Sequence, residues 1–162
     1  MDKYDIAMLV TNAGLGGFGP INFNTDSQVE SITSVNIIHP TFLTKVFLEH
    51  FKNRTKKSCI INVSSLMELH PTAGMSLYSS SKAFVHHWSS ALAVELSRDP
   101  NLSPKVDVCT ISPSFVSTKL NGMPYIPLLI PKPLSAAKSF LQDVGRFQYT
   151  NGPLFAAISA PS

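Results

Sequence analysis

The chain reads as an α/β protein built on a parallel sheet, and three observations predict this. Three short apolar runs rich in β-branched residues alternate with two long helical patterns, and small polar or glycine residues follow each run. At 162 residues with 44% hydrophobic content, the chain has the length and apolar mass of a single domain spanning 1–162. Alternation of this kind implies βαβ units with right-handed crossovers, and hence a parallel sheet whose strands are buried on both faces.

Each element follows in order. "IAMLV" at 6–10 is a continuous apolar run that ends in "TNAGLGGFG", the pattern of a buried strand entering a glycine-rich turn. From about Thr25 to Phe51, Val29, Ile32, Val35, Phe42, Val46, Phe47 and Phe51 recur mostly at helical spacing, with Asp26 placed to cap the start. Pro40 lies inside this helix and is expected to kink or divide it. "CIINVSS" at 59–65 is the second strand, and the turn formers of "HPTAG" separate it from a helix over about Tyr78 to Ser97. "VDVCTIS" at 106–112 is the third strand, closed by Pro113. Four prolines in 121–134 exclude a regular helix or central strand, leaving an apolar loop. A short helix over about Ser135 to Val144 precedes "QYTNG" and the tail.

Composition narrows the function classes. The net charge is +3, but the basic residues are scattered, and the densest group, "KNRTKK" at 52–57, reads as a solvated loop. A nucleic-acid surface is not expected. Cys59 and Cys109 each lie in a strand run, as small buried hydrophobes rather than parts of a disulfide or metal site. No apolar run approaches the roughly 18 residues of a membrane span, and "MDKYDIAMLV" lacks the build of a signal peptide, so a soluble intracellular chain is expected. The sequons "NRT", "NVS" and "NLS" then read as chance matches.

Ligands of open parallel sheets bind beyond the carboxyl ends of the strands, where this chain carries "NAG", "SS" and "SPSFVST". Singly these are ordinary turn residues. Their spacing says more. Tyr78 stands thirteen positions after Ser65, and Lys82 one helical turn after Tyr78 on the same face. A phenol titrates near about 10, and an adjacent ammonium would lower that value and make a general acid or base. Ser65 could hold a substrate oxygen while Tyr78 exchanges the proton. A serine hydrolase built on Ser65 with His70, His86 or His87 fits poorly, because no GxSxG elbow is present and His86 and His87 read as solvated helix residues.

"NAG" at 12–14, Asn36, "NVSS" with Ser65, "YSSSK" and "SPSFVSTKL" resemble, in order and spacing, the short-chain dehydrogenase/reductase family over essentially the whole chain. The resemblance implies a partial Rossmann-like, doubly wound parallel sheet of three strands with flanking helices. It implies Tyr78 as acid/base, Lys82 lowering its pKa and binding the nicotinamide ribose, and Ser65 orienting the substrate carbonyl with Leu66 beside it. Asn36 would hold a water joining Lys82 to solvent. Asn12, Ala13 and Gly14 would lie toward the cofactor's adenosine side, and Pro113, Val116 and Thr118 would run past the nicotinamide. Ser114 replaces the family's usual glycine after Pro113. "SFVSTKL", "SAAKSFLQDVG" and "TNG" are similar to the branch of 17β-hydroxysteroid dehydrogenases and very-long-chain 3-oxoacyl-CoA reductases. That branch implies NADP (with NAD as the other possibility), a lipid-like carbonyl or alcohol substrate under the loop 123–134, and either an endoplasmic reticulum or a cytoplasmic location. A homodimer through the helix 78–97 is implied as well.

One family feature is missing. No TGxxxGxG turn precedes "NAG", and "GLGGFG" at 14–19 has the wrong spacing and no helix directly after it. The first βαβαβ half is thus expected to be absent, leaving an exposed apolar edge on the first strand. The alternatives are a piece of a longer enzyme, or a truncated non-enzymatic remnant that acts as an interaction partner.

Overall fold

Four parallel strands lie side by side in chain order: β1 (Met8–Thr11), β2 (Ser58–Val63), β3 (Val106–Ile111) and β4 (Tyr149–Thr150). Register pairs Leu9 with Ile60 and Ile60 with Val108, so one row of side chains crosses three strands on the same face. The computed structural model describes residues 4–103, 105–118, 122–126 and 130–152. The expected loop therefore falls partly outside the described residues, at 121 and 127–129, and so does the tail 153–162.

The fourth strand corrects the expectation of three. It is only two residues long, bound through Thr110 N–H to the Gln148 carbonyl and Ser112 N–H to the Thr150 carbonyl, too short to show a period in sequence.

The first helical pattern is an unbroken run of α1 (Asp26–Thr33), a π turn (Ser34–Ile38) and α2 (His39–Lys52). Thr25, not Asp26, caps it: its hydroxyl accepts the Gln28 N–H while Gln28 Oε1 accepts the Thr25 N–H at 2.9 Å. Pro40 neither divides the run nor ends it. A proline has no N–H and its ring crowds the carbonyl four residues back, and the π turn immediately before it widens the helix there.

α2 and α3 (Ser76–Arg98) cover one face of the sheet, where Phe51, Leu92, Ala93 and Leu96 pack on Leu9, Ile60 and Val108. On the other face Ile61, Cys109 and Ile111 meet Phe140 of α4 (Pro133–Asp143) and Val144. Burial pushes the Cys109 thiol up to about 11 and Cys59 to about 12, so both behave as the expected small hydrophobes. Asn62 of the "NVS" sequon is fully buried and bonds Thr11 and Ser89, closing it to modification.

The basic loop is not wholly solvated. Arg54 is 8% exposed, its guanidinium grips Asp5 at 2.6 and 3.2 Å and also donates to Ser58 Oγ and the Lys57 carbonyl. A planar fork with several donors satisfies neighbouring chain ends that a lysine could not. No helix among the described residues is long and apolar enough to cross a membrane.

Candidate active site

The predicted residues gather at the carboxyl ends of β1 and β2. After β2 the chain turns at Ser65, whose extended backbone and hydroxyl open a 3₁₀ turn (Leu66–Glu68); its Oγ accepts the Met67 N–H at 3.3 Å. α3 begins at Ser76, so Tyr78 lies in its first turn and Lys82 in the next, both facing the sheet.

Burial of the ring holds the Tyr78 phenol above its ordinary range, outweighing the nearby Ser65 hydroxyl, which favours the phenolate. The lowering expected from Lys82 is not seen. Lys82 Nζ lies over the ring, 5.8 Å from its centroid, and donates to the Val63 carbonyl at 2.9 Å. Burial also weakens Lys82's own charge: only 4% exposed, its amine is pushed down to about 8, with the Glu68 carboxylate pulling the other way.

Asn36 sits in the π turn and is 2% exposed. Its Oδ1 accepts the Leu15 N–H at 2.8 Å, and its Nδ2 donates to the Leu15 carbonyl and to Ser81 Oγ at 3.0 and 2.9 Å. Asn36 thus ties the turn after β1 to α3. Gly14 completes the cluster: a Cβ there would stand 3.3 Å from Lys82 Nζ and 3.7 Å from Asn36 Oδ1. Asn12 and Ala13 are exposed on the approach to it.

Of the loop residues, Pro113 is joined to the Ser65 turn by the Leu66 N–H, which donates to the Pro113 carbonyl at 3.0 Å. Val116 lines a small apolar cavity with Ser114, Phe140 and Asn151, away from Lys82. Thr118 accepts the Gly122 N–H at 3.1 Å, and Ser117 bonds the Pro131 carbonyl, so the proline loop folds back on the strand end. Ile126 and Ile130 pair as a one-rung antiparallel bridge across its tip.

Two roles escaped the sequence. Ser81, one of three serines between Tyr78 and Lys82, is buried and holds both Asn36 and the Tyr78 carbonyl. Glu68 has a side chain only 1% exposed and collects four side-chain donors. The signal for Glu68 was the Ser-x-x-Glu spacing from Ser65, the pattern of a capped turn. His86, expected to be solvated, is one of its partners at 2.6 Å; His87 is exposed.

The space left by the missing side chain at Gly14, an amine and a phenol suit the nicotinamide and ribose end of a dinucleotide. The turn at 14–19 does not suit its pyrophosphate, because the run that follows begins with a three-residue 3₁₀ turn (Ile21–Phe23) and α1 starts only at Asp26.

A family model described as "short chain dehydrogenase" matches residues 2–123. The chain is 34% identical over 143 residues to a very-long-chain 3-oxoacyl-CoA reductase of Neurospora crassa, covering 87% of this chain and 41% of that relative. With very-long-chain 3-oxoacyl-CoA reductase-B of Danio rerio it shares 31% over 158 residues, 95% of this chain and 49% of that one. The chain thus spans less than half the length of these relatives. Among solved structures, a short-chain dehydrogenase from Sphingobium yanoikuyae in complex with NADPH superposes with a TM-score of 0.81 at 25% identity, covering 96% of this chain and 61% of that one.

Proposed function

The chain belongs to the short-chain dehydrogenases, and from that premise we propose that it carries the proton-transfer site of an NADP-dependent reductase of ketones on lipid-like substrates, 3-oxoacyl-CoA or steroid. The observation that carries the reading is the meeting of Ser65, Tyr78, Lys82, Asn36 and Gly14 at two neighbouring strand ends. NADPH bound along Gly14, Lys82, Pro113 and Thr118 would supply the hydride. Ser65 would hold the substrate's carbonyl oxygen, and Tyr78 would pass its phenolic proton to that oxygen as the alcohol forms. Lys82, close to half-charged near pH 8, would return a proton toward Tyr78.

The raised pKa of Tyr78 keeps the phenol protonated, the form that reduction of a carbonyl requires. Support for a lipid-like substrate comes from the names of the relatives and from the apolar loop, where Tyr125 and Ile126 stand exposed, as does Phe115 after β3. The reading extends to a homodimer packed on α3, whose exposed Phe84 stacks on Trp88 at 6.3 Å, and to an endoplasmic reticulum address.

The test uses the full-length product of the gene and a 3-oxoacyl-CoA. Tyr78→Phe is expected to lower ketone-dependent NADPH oxidation by about 10²-fold or more while NADPH binding by calorimetry is kept. A variant with the wild-type rate would overturn the reading. Calorimetry on the 162-residue polypeptide separates the second reading, an interaction partner without cofactor, which the exposed Met8 and Val10 of β1 favour. Micromolar NADPH binding there would sink it.

A further inference from the structure

Glu68 is a carboxylate with almost no solvent contact in a position where an acid is costly unless its oxygens are satisfied. They are. Oε1 accepts from Ser112 Oγ at 3.0 Å, Tyr149 OH at 2.9 Å and His86 Nδ1 at 2.6 Å, and Oε2 meets Ser64 Oγ. The His86 and Tyr149 rings stack at 4.5 Å, so the imidazole and the phenol are fixed against each other as well as against the carboxylate.

The identity of these partners is what matters. Ser64 precedes Ser65, and Ser112 precedes Pro113. His86 lies one helical turn beyond Lys82 on α3, and Ser64 Oγ is also 2.8 Å from the Lys82 carbonyl. Glu68 itself closes the turn that Ser65 opens, its N–H donating to the Ser65 carbonyl at 2.9 Å. One buried carboxylate therefore joins the ends of β2 and β3, β4 and the Lys82 face of α3, while Asn36 separately ties the turn after β1 to the same helix.

We propose that Glu68 is a positioning residue of this active site, a buried anionic hub that holds the Ser65 turn and the Pro113 loop in register with Tyr78 and Lys82 on α3. This rests on the function proposed above. The groups facing the carboxylate are His86 and Lys82 from α3, Tyr149 from β4, and the hydroxyls of Ser64 and Ser112. Burial pushes the Tyr149 phenol up to about 12, and the Glu68 charge adds to this by repelling the phenolate, while it draws the Lys82 amine upward against burial. Removal of that charge without loss of fold is therefore expected to lower the titration midpoint of Lys82.

The experiment has two arms. In the full-length enzyme, Glu68→Gln is expected to lower kcat for 3-oxoacyl-CoA reduction about tenfold or more, with KM for NADPH within about twofold, and Glu68→Asp to recover part of the loss. In the 162-residue polypeptide, the Lys82 side chain is titrated by NMR, and Glu68→Gln is expected to move its midpoint lower by about half a pH unit or more. Should Glu68→Gln fail to fold by circular dichroism, Tyr149→Phe and Ser112→Ala each remove one donor and are expected to lower kcat about two- to fivefold. Wild-type kcat in a folded Glu68→Gln, or an unmoved Lys82 midpoint, overturns the proposal. If the wild-type enzyme reduces no ketone, the functional reading fails by itself, and the Lys82 titration alone decides the role of Glu68.

Discussion

The two faces of the sheet are built from the same kind of strand residue and have opposite fates. On the face under α2 and α3, Leu9 is 7% and Ile60 0% exposed; on the other, their strand neighbours Met8 and Val10 are 45% and 49% exposed. The difference lies in cover. Among the described residues Phe140 of α4 and Val144 just after it reach β2 and β3 but leave β1 open. Apolar patterning sets which residues want burial, and only packed helices provide it. The site sits on the side of the better-covered face: Tyr78 and Lys82 project from α3, and Asn36 comes from the helix run ahead of α2.

Four substitutions, measured by urea unfolding of the polypeptide, would break or sharpen this contrast. Phe51→Ala, at the fully buried end of α2, is expected to cost the most, about 3–5 kcal/mol. A loss below about 1 kcal/mol would mean that α2 is not the clamp of its face. Ile61→Ala on the thinner side is expected to cost less, about 2–3 kcal/mol, since the site can collapse toward open surface. Equal losses would make the two faces equivalent.

Lys82→Met should stabilise. The fall of the buried amine from 10.5 to about 8 corresponds to about 3 kcal/mol against the charged form. Loss of the bond to Val63 offsets about 1 kcal/mol, leaving a gain of about 1–2 kcal/mol at pH 7. The sign follows from proton counts. Between about pH 8 and 10.5 the unfolded chain binds the extra proton, so wild-type stability rises with pH across that window and the advantage of Lys82→Met shrinks. An advantage that grew instead would contradict the burial of the amine. The smallest effect is expected from Val10→Thr, within about 0.5 kcal/mol, because its side chain is already half exposed. A loss beyond about 1 kcal/mol would show that something covers β1.

Much of this was legible in the sequence where residues repeat or are spaced by a period. The three longer strands and the helix that sets Tyr78 and Lys82 on one face follow from runs and intervals that local geometry enforces, while the place of Asn36 beside them was implied by the family resemblance. β4 was not legible, because two residues carry no alternation and the strand exists only through its pairing with β3. Arg54 was read as solvated from its charged neighbours, yet its donors are taken by Asp5, which lies at the start of the chain. Ser81 looked interchangeable with Ser79 and Ser80, and what distinguishes it is contact with Asn36, 45 residues away.

The sequence by itself determined the element types, the parallel direction of the strands and the shared helix face of Tyr78 and Lys82, since a helical turn places residues four apart on one face whatever surrounds them. Only the tertiary structure decided the protonation balance of that pair. Burial, not proximity, lifts the Tyr78 phenol and lowers the Lys82 amine, and desolvation depends on everything packed around a group. It also decided that Glu68 is a hub, because its four donors come from three strand ends and a helix that meet only when the chain is folded.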